Sequence, residues 1–293
     1  MDHDVAPQED YRHPLDAGEH EAFHFLFTAR DGSVFGYARL LFGHADVLEV
    51  LALRVAGETW VAQRRHPAPP LSDIRGEHLA LTCRRPWEHW HLAFDGQATE
   101  VSTGAQRPLT FTATFQAATP PKRYRFGAHF QQVYQDGDYQ VQMRLGTEHW
   151  AGGGCGARDH TWGRRPMSAV RNCTVLTIPR RLFAVIADTD LQPACFGHWI
   201  AAGQVTPVSN PQLHATESGW RLEDAAGGSG IWQAQPLAEP LVVYYGVAGE
   251  EEVRAAPRAG DLLRDTIIPA SFTSPEGESF TGFVDLLRGI HDD

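Results

Sequence analysis

The sequence predicts an all-β protein made of two tandem antiparallel barrels or sandwiches. Three observations predict it. Helical periodicity is scarce, while short alternating apolar runs are common. Asp-Gly pairs recur between such runs, and Asp-Gly tolerates the positive φ of tight hairpins. The 28 glycines and 19 prolines supply many turns.

The elements follow in chain order. Residues 22–43, AFHFLFTARDGSVFGYARLLFG, read as strand, Asp31-Gly32 turn, strand. WEHWHLAFDGQATEVS (87–102) repeats the pattern around Asp95-Gly96, and HFQQVYQDGDYQVQMRLG (129–146) repeats it around Asp136-Gly137. In the last run Val141, Met143 and Leu145 face one way, and Gln140, Gln142 and Arg144 the other. TVLTIP, LFAVIAD, CFGHWIAAG and LVVYYGVAG are further β-rich runs. Helical candidates are few: a short turn within 70–85, where LALT is equally strand-like, and a modest one at 257–267. The prolines of ATPPKR (118–123) mark the best boundary. It divides the chain into domains 1–119 and 120–293, each opened by an aromatic strand and an Asp-Gly pair.

Composition narrows the function. The net charge of -11, 36 acidic against 25 basic residues, repels phosphate backbones and anionic membranes. No apolar run approaches the roughly 20 residues of a membrane span. The acidic N-terminus lacks the basic and apolar regions of a signal peptide. Cys83, Cys155, Cys173 and Cys195 form no CxxC pair, which suits reduced thiols in the cytoplasm.

Residues 152–166, GGGCGARDHTWGRRP, concentrate the chemistry. In a regular strand Arg158, His160 and Trp162 share one face, and Asp159 and Thr161 the other. The first group would set a cation, a group titrating near neutrality and an aromatic wall side by side. A bulge at Gly156 or Gly163 would bring Asp159 round. Packing of a His-x-Trp pair is the competing reading. The stretch lacks GxxxxGK[ST], and its spacing with His149 fits no zinc pattern, so no metal is expected. His198 adjoins Trp199 and Tyr244 adjoins Tyr245, so one of each pair points inward. His24 and His129 lie in the aromatic strands that open each half, and His89 and His91 flank Trp90. No GxSxG elbow is present, and Cys83 before Arg84-Arg85 is the one weak thiolate candidate.

The motif from Gly156 to Arg165, G-x-R-D-H-T-W-G-x-R, resembles the signature of a superfamily of double lipocalin-like proteins. That superfamily includes carotenoid 1,2-hydratase (hydroxyneurosporene synthase), tocopherol-cyclase-like proteins and fungal decalin-forming Diels–Alderases. The segments Trp90–Gly96 and Ala128–Gln132 are similar to its other landmarks. The resemblance implies two lipocalin-like (calycin) barrels and an apolar ligand cavity. It implies acid and aromatic roles for Asp159, His160 and Trp162, with Asp188 of Ile186-Ala187-Asp188 where the hydratases carry Tyr-x-Asp. Substrate contacts would come from Arg158, His129, Trp199, His198, Tyr245 and His24. The expected activity is a cofactor-independent cyclase or hydratase/dehydratase, using acid catalysis on an alkene of a hydrophobic isoprenoid or polyketide-like compound. A pericyclase that folds its substrate and a non-catalytic carrier are the alternatives. The chain is expected to be a monomer or homodimer.

Overall fold

A computed structural model describes residues 5–126, 130–164, 170–189, 194–201, 204–208, 211–216, 219–224, 232–246, 251–274 and 276–290. The chain is all-β, in two large antiparallel sheets. The first holds β1 (His20–Ala29), β2 (Val34–Phe42), β3 (Asp46–Val55), β4 (Glu58–Pro67), β5 (Leu79–Arg85), β6 (His89–Glu100), β7 (Gln106–Ala117), β8 (Lys122–Phe126), β9 (Phe130–Leu145) and β10 (Glu148–Gly163). Its order is β10-β1-β2-β3-β4-β6-β7-β9-β8, and β10 also pairs with β9. The ring therefore closes, and closure removes exposed strand edges. Strand β5 pairs onto β6 outside the ring.

Alternation fills this ring. Phe23, Phe25 and Phe27 of β1 meet Trp60, Trp90, Phe111, Phe115 and Tyr139 in one buried cluster. An N-terminal segment with a 3-10 turn, Pro7–Asp10, meets β10 through Asp10 and Arg158 and the start of β1 through His13 and Glu21. Trp87, Val133, Trp162 and Val5 pack there. Arg12 lays its guanidinium on Phe42 at 3.8 Å and donates to the carbonyls of Pro69, Pro70 and Asp73.

The second sheet holds β11 (Val170–Ile178), β12 (Leu182–Thr189), β13 (Ala194–Ala201), β14 (Gln204–Pro207), β15 (Pro211–Thr216), β16 (Gly219–Asp224), β17 (Trp232–Pro236), β18 (Leu241–Gly246), β19 (Glu251–Val253), β20 (Asp261–Thr273) and β21 (Ser279–Gly289). Its order is β14-β13-β12-β11-β21-β20-β17-β16-β15, with β18 bridging β19 and β20. Leu176, Leu182, Ala270, Phe272 and Val284 centre its core. Among the described residues no helix is long and apolar enough to cross a membrane, and Cys83, Cys155 and Cys173 form no disulfide.

Several expectations change. The two compact units are 1–30 with 34–165, and 31–33 with 166–293. The boundary thus falls at 165/166 rather than 119/120, because β8, β9 and β10 pair into the first sheet. Residues 118–121 of ATPPKR are a loop inside that sheet, and Lys122 and Arg123 open β8. The helical candidates at 70–85 and 257–267 yield instead to strands β5 and β20. Asp31-Gly32 does turn the chain, with Gly32 at φ 70 and Asp31 Oδ1 accepting from Ser33. Asp95-Gly96 and Asp136-Gly137 do not, since both lie inside strands. The actual turns use Gly104 and Gly146, at φ 73 and 60. At the first of these the Glu100 carboxylate accepts from Ser102 and Thr103, and the Thr103 hydroxyl leads in holding its pKa down to about 2.

Gly137 serves close packing. A Cβ there would lie 2.2 Å from Phe115 Cε2 and 2.5 Å from the Gln116 carbonyl oxygen. Gly137→Ala is expected to destabilise by about 1–3 kcal/mol through overpacking. Urea unfolding checks this, and an unchanged midpoint refutes the close-packing account.

Candidate active site

Strand β10 pairs with β1 and β9 without any break in register. No bulge intervenes at Gly156, so the alternation expected for RDHTW holds. Antiparallel partners share a face. Arg158 lies opposite Phe25 and His160 opposite Phe23, so both point into the ring. Asp159 lies opposite His24 and Tyr134 and points out.

The inward group is a set of partnered charges. Asp10 Oδ1 meets Arg158 Nη2 at 2.5 Å. Asp10 Oδ2 accepts from the Trp87 backbone N–H at 2.6 Å and the Trp90 indole at 3.1 Å. The Arg158 guanidinium sits over the Trp90 and Trp87 rings at 4.8 and 5.1 Å. Next along the strand, His160 Nε2 is 2.8 Å from Glu21 Oε1, which is 2.7 Å from His13 Nδ1. The His13 backbone N–H also donates to both Glu21 oxygens. His160 stacks on Phe23 at 4.0 Å, and Trp162 stacks on His13 at 4.4 Å.

Burial pushes the Glu21 carboxyl up, but hydrogen bonds from His13 and His160 outweigh it and hold its pKa below the ordinary value. Burial lowers the His160 pKa more than Glu21 raises it, so this imidazole is held neutral. Its Nε2–H then donates to Glu21, and Nδ1 is left buried with no hydrogen-bond partner.

The outward face has a different character. Register places Tyr134, Asp159, His24 and Arg39 in one row across β9, β10, β1 and β2. Asp136, Ala157, Leu26 and Tyr37 form the next row. Tyr134 Oη donates to Asp136 Oδ1 at 2.5 Å, and Gln132 Nε2 donates to Asp159 Oδ2 at 3.0 Å. His24 meets the Tyr37 ring edge-on at 5.0 Å. Tyr134, Asp136, Arg39 and Tyr37 are buried, while Asp159 and His24 are half-buried. Tyr124 of β8 faces the same way; burial first, then the Asp136 charge, push its phenol up. This face offers a carboxyl, an imidazole, a guanidinium and phenols within a few strands.

The structure thus separates Asp159 from Arg158, His160 and Trp162, and joins it to His24. His198, Trp199 and Tyr245 belong to the second unit. His198 is buried beside Phe183, Trp199 packs on Trp232, and Tyr245 Oη lies 3.4 Å from Asp265 Oδ2. The backbone of Asp188 pairs with Asn172; its side chain, like His129, lies outside the described residues. Cys83 is no thiolate: burial and then the Asp10 charge push its pKa up to about 11.

Sequence reasoning missed Asp10, His13, Glu21, Arg39, Tyr134 and Asp136. One signal was present. Glu21 is a lone carboxylate in the apolar strand HEAFHFLFTA, and such a group requires buried partners.

Neither a protein-family model nor a curated protein matches the chain. Solved structures do. Kievitone hydratase from Nectria haematococca superposes with a TM-score of 0.58 at 12% identity, covering 97% of this chain and 93% of that one. CghA with Sch210972 superposes with a TM-score of 0.57 at 8% identity, covering 94% and 89%. At these identities the likeness shows a shared fold across nearly the whole chain.

Proposed function

We propose that the chain is a cofactor-independent enzyme of the lyase or isomerase kind, which hydrates, dehydrates or cyclises an alkene-bearing hydrophobic natural product of isoprenoid or polyketide type. The row Tyr134–Asp159–His24–Arg39 carries the reading. Protonating an alkene needs a carboxylic acid shielded from bulk water, and Asp159 is the half-buried carboxyl of that row. Gln132 orients it. Arg39 supplies hydrogen bonds to a carbonyl or phenolate on the substrate, and Tyr134, whose proton goes to Asp136, offers its oxygen as an acceptor for a substrate hydroxyl. His160, Arg158 and Trp162 are positioning residues that hold β10 from behind. Among the fold relatives, one is a hydratase and the other was crystallised with Sch210972.

The test is conversion of kievitone and of linear isoprenoid alkenes in ¹⁸O-labelled water, followed by mass spectrometry. The expected products carry one labelled water or are isomers of unchanged mass. Asp159→Asn should lower turnover by about 10²–10⁴-fold with unchanged circular dichroism. Wild-type turnover in that variant, or saturable binding of these compounds without conversion, refutes the reading; the latter describes a carrier.

A further inference from the structure

His160 lies 139 residues from Glu21, and His13 eight residues before it, yet one donor atom of each lies within 4.8 Å of the others. These atoms are His13 Nδ1, Glu21 Oε1 and His160 Nε2. Two imidazoles and a carboxylate form a donor set that first-row divalent ions favour, zinc among them. We propose that this cluster binds a zinc-like divalent cation, which ties the N-terminal segment to the rim of the first barrel.

The site is pre-built. Glu21 and His160 share the inward face of adjacent strands, and their side chains are fully buried. Phe23 and Trp162 clamp the two imidazole rings. The nitrogen-to-oxygen separations are 2.7 and 2.8 Å. Two ligands at about 2.0 Å from a tetrahedral ion stand about 3.3 Å apart, so each nitrogen–oxygen pair opens by only about half an ångström. An ion at Nε2 replaces the hydrogen bond between His160 and Glu21 and moves the ring proton to Nδ1. The His13 side chain is 24% exposed and gives the ion a way in. Arg12 opposes a cation, but it approaches the other carboxylate oxygen, at 4.0 Å, and is held there by backbone carbonyls. The site lies on the opposite face of β10 from Asp159 and does not depend on the proposed reaction.

The experiment uses the full chain, stripped with EDTA and titrated with Zn²⁺ by calorimetry and with Co²⁺ by visible absorption. One equivalent per chain is expected, with the intense d–d bands of a low-coordinate cobalt site. Zinc should raise the thermal midpoint. His13→Gln and Glu21→Gln should each weaken binding by at least about tenfold and abolish the midpoint shift. His89→Gln/His91→Gln, which alters other imidazoles, should keep both. His13 lies on the partly exposed side, so its variant reports even where a change at buried His160 prevents folding. No bound equivalent in the wild type overturns the proposal. So does an equivalent that survives both His13→Gln and Glu21→Gln.

Discussion

Truncating Asp10 to alanine is expected to destabilise the protein by about 3–5 kcal/mol, because it leaves the Arg158 guanidinium buried without its counter-charge. Both side chains are essentially inaccessible, at 0% and 1% exposure. The loss goes beyond one ion pair. Asp10 Oδ2 also accepts from the Trp87 backbone and the Trp90 indole, and buried donors without acceptors are costly. Arg158 could not relax into water, since Trp87 and Trp90 enclose it. The double variant Asp10→Ala/Arg158→Met should recover a large part of the loss, since removing both charges removes the uncompensated one. Urea unfolding followed by tryptophan fluorescence measures both. A loss below about 1 kcal/mol for Asp10→Ala would show that water reaches this pair.

Acid should destabilise the metal-free protein in two stages. His160 has a folded pKa below the ordinary imidazole value of 6.5, because burial resists its charging. The unfolded chain therefore takes up a proton that the folded one refuses, and stability falls as pH drops from 6.5 towards the lowered value. Glu21 has a folded pKa below the ordinary 4.5. Its contribution is complete above 4.5 and is lost as pH falls further. Each stage has a limiting slope of about 1.4 kcal/mol per pH unit for one proton. The groups facing His160 are Glu21 and Asp10, which favour its charge, Arg158, which opposes it, and the His13 ring, 5.4 Å away between centroids. Urea midpoints in EDTA between pH 7 and 4 give the profile, and His160→Gln should erase the upper stage. A flat profile between 6.5 and 5 in the wild type would refute the neutral, buried imidazole.

Some of this was legible in the residues. Alternation across RDHTW separated Asp159 from Arg158, His160 and Trp162, and the register keeps that separation. The Val141, Met143, Leu145 face is buried and the Gln140, Gln142, Arg144 face exposed, as the pattern predicts. The glycines of the motif have a structural use: Cβ atoms at Gly154 and Gly156 would lie 2.0 Å from carbonyl oxygens of β1. Asp-Gly was an ambiguous sign. The same dipeptide turns the chain at 31–32 and runs through strands at 95–96 and 136–137 without positive φ; a Cβ would overlap the Phe115 ring at Gly137, at 2.2 Å, and only press on Phe94 and His78 at Gly96, at 3.0 and 3.2 Å.

By itself, then, the sequence determined the all-β class and the two faces of β10. Both depend on a side-chain period of two, which is a local property of the strand. The tertiary structure decided where the first unit ends, because closure of the ring through β9 and β10 is a pairing between distant segments. It also decided what each face of β10 meets. Asp10, His13 and Glu21 reach Arg158 and His160 across more than a hundred residues, and Tyr134, His24 and Arg39 reach Asp159 only through strand register. Local spacing cannot encode such meetings; they follow from burying unlike strands around one core.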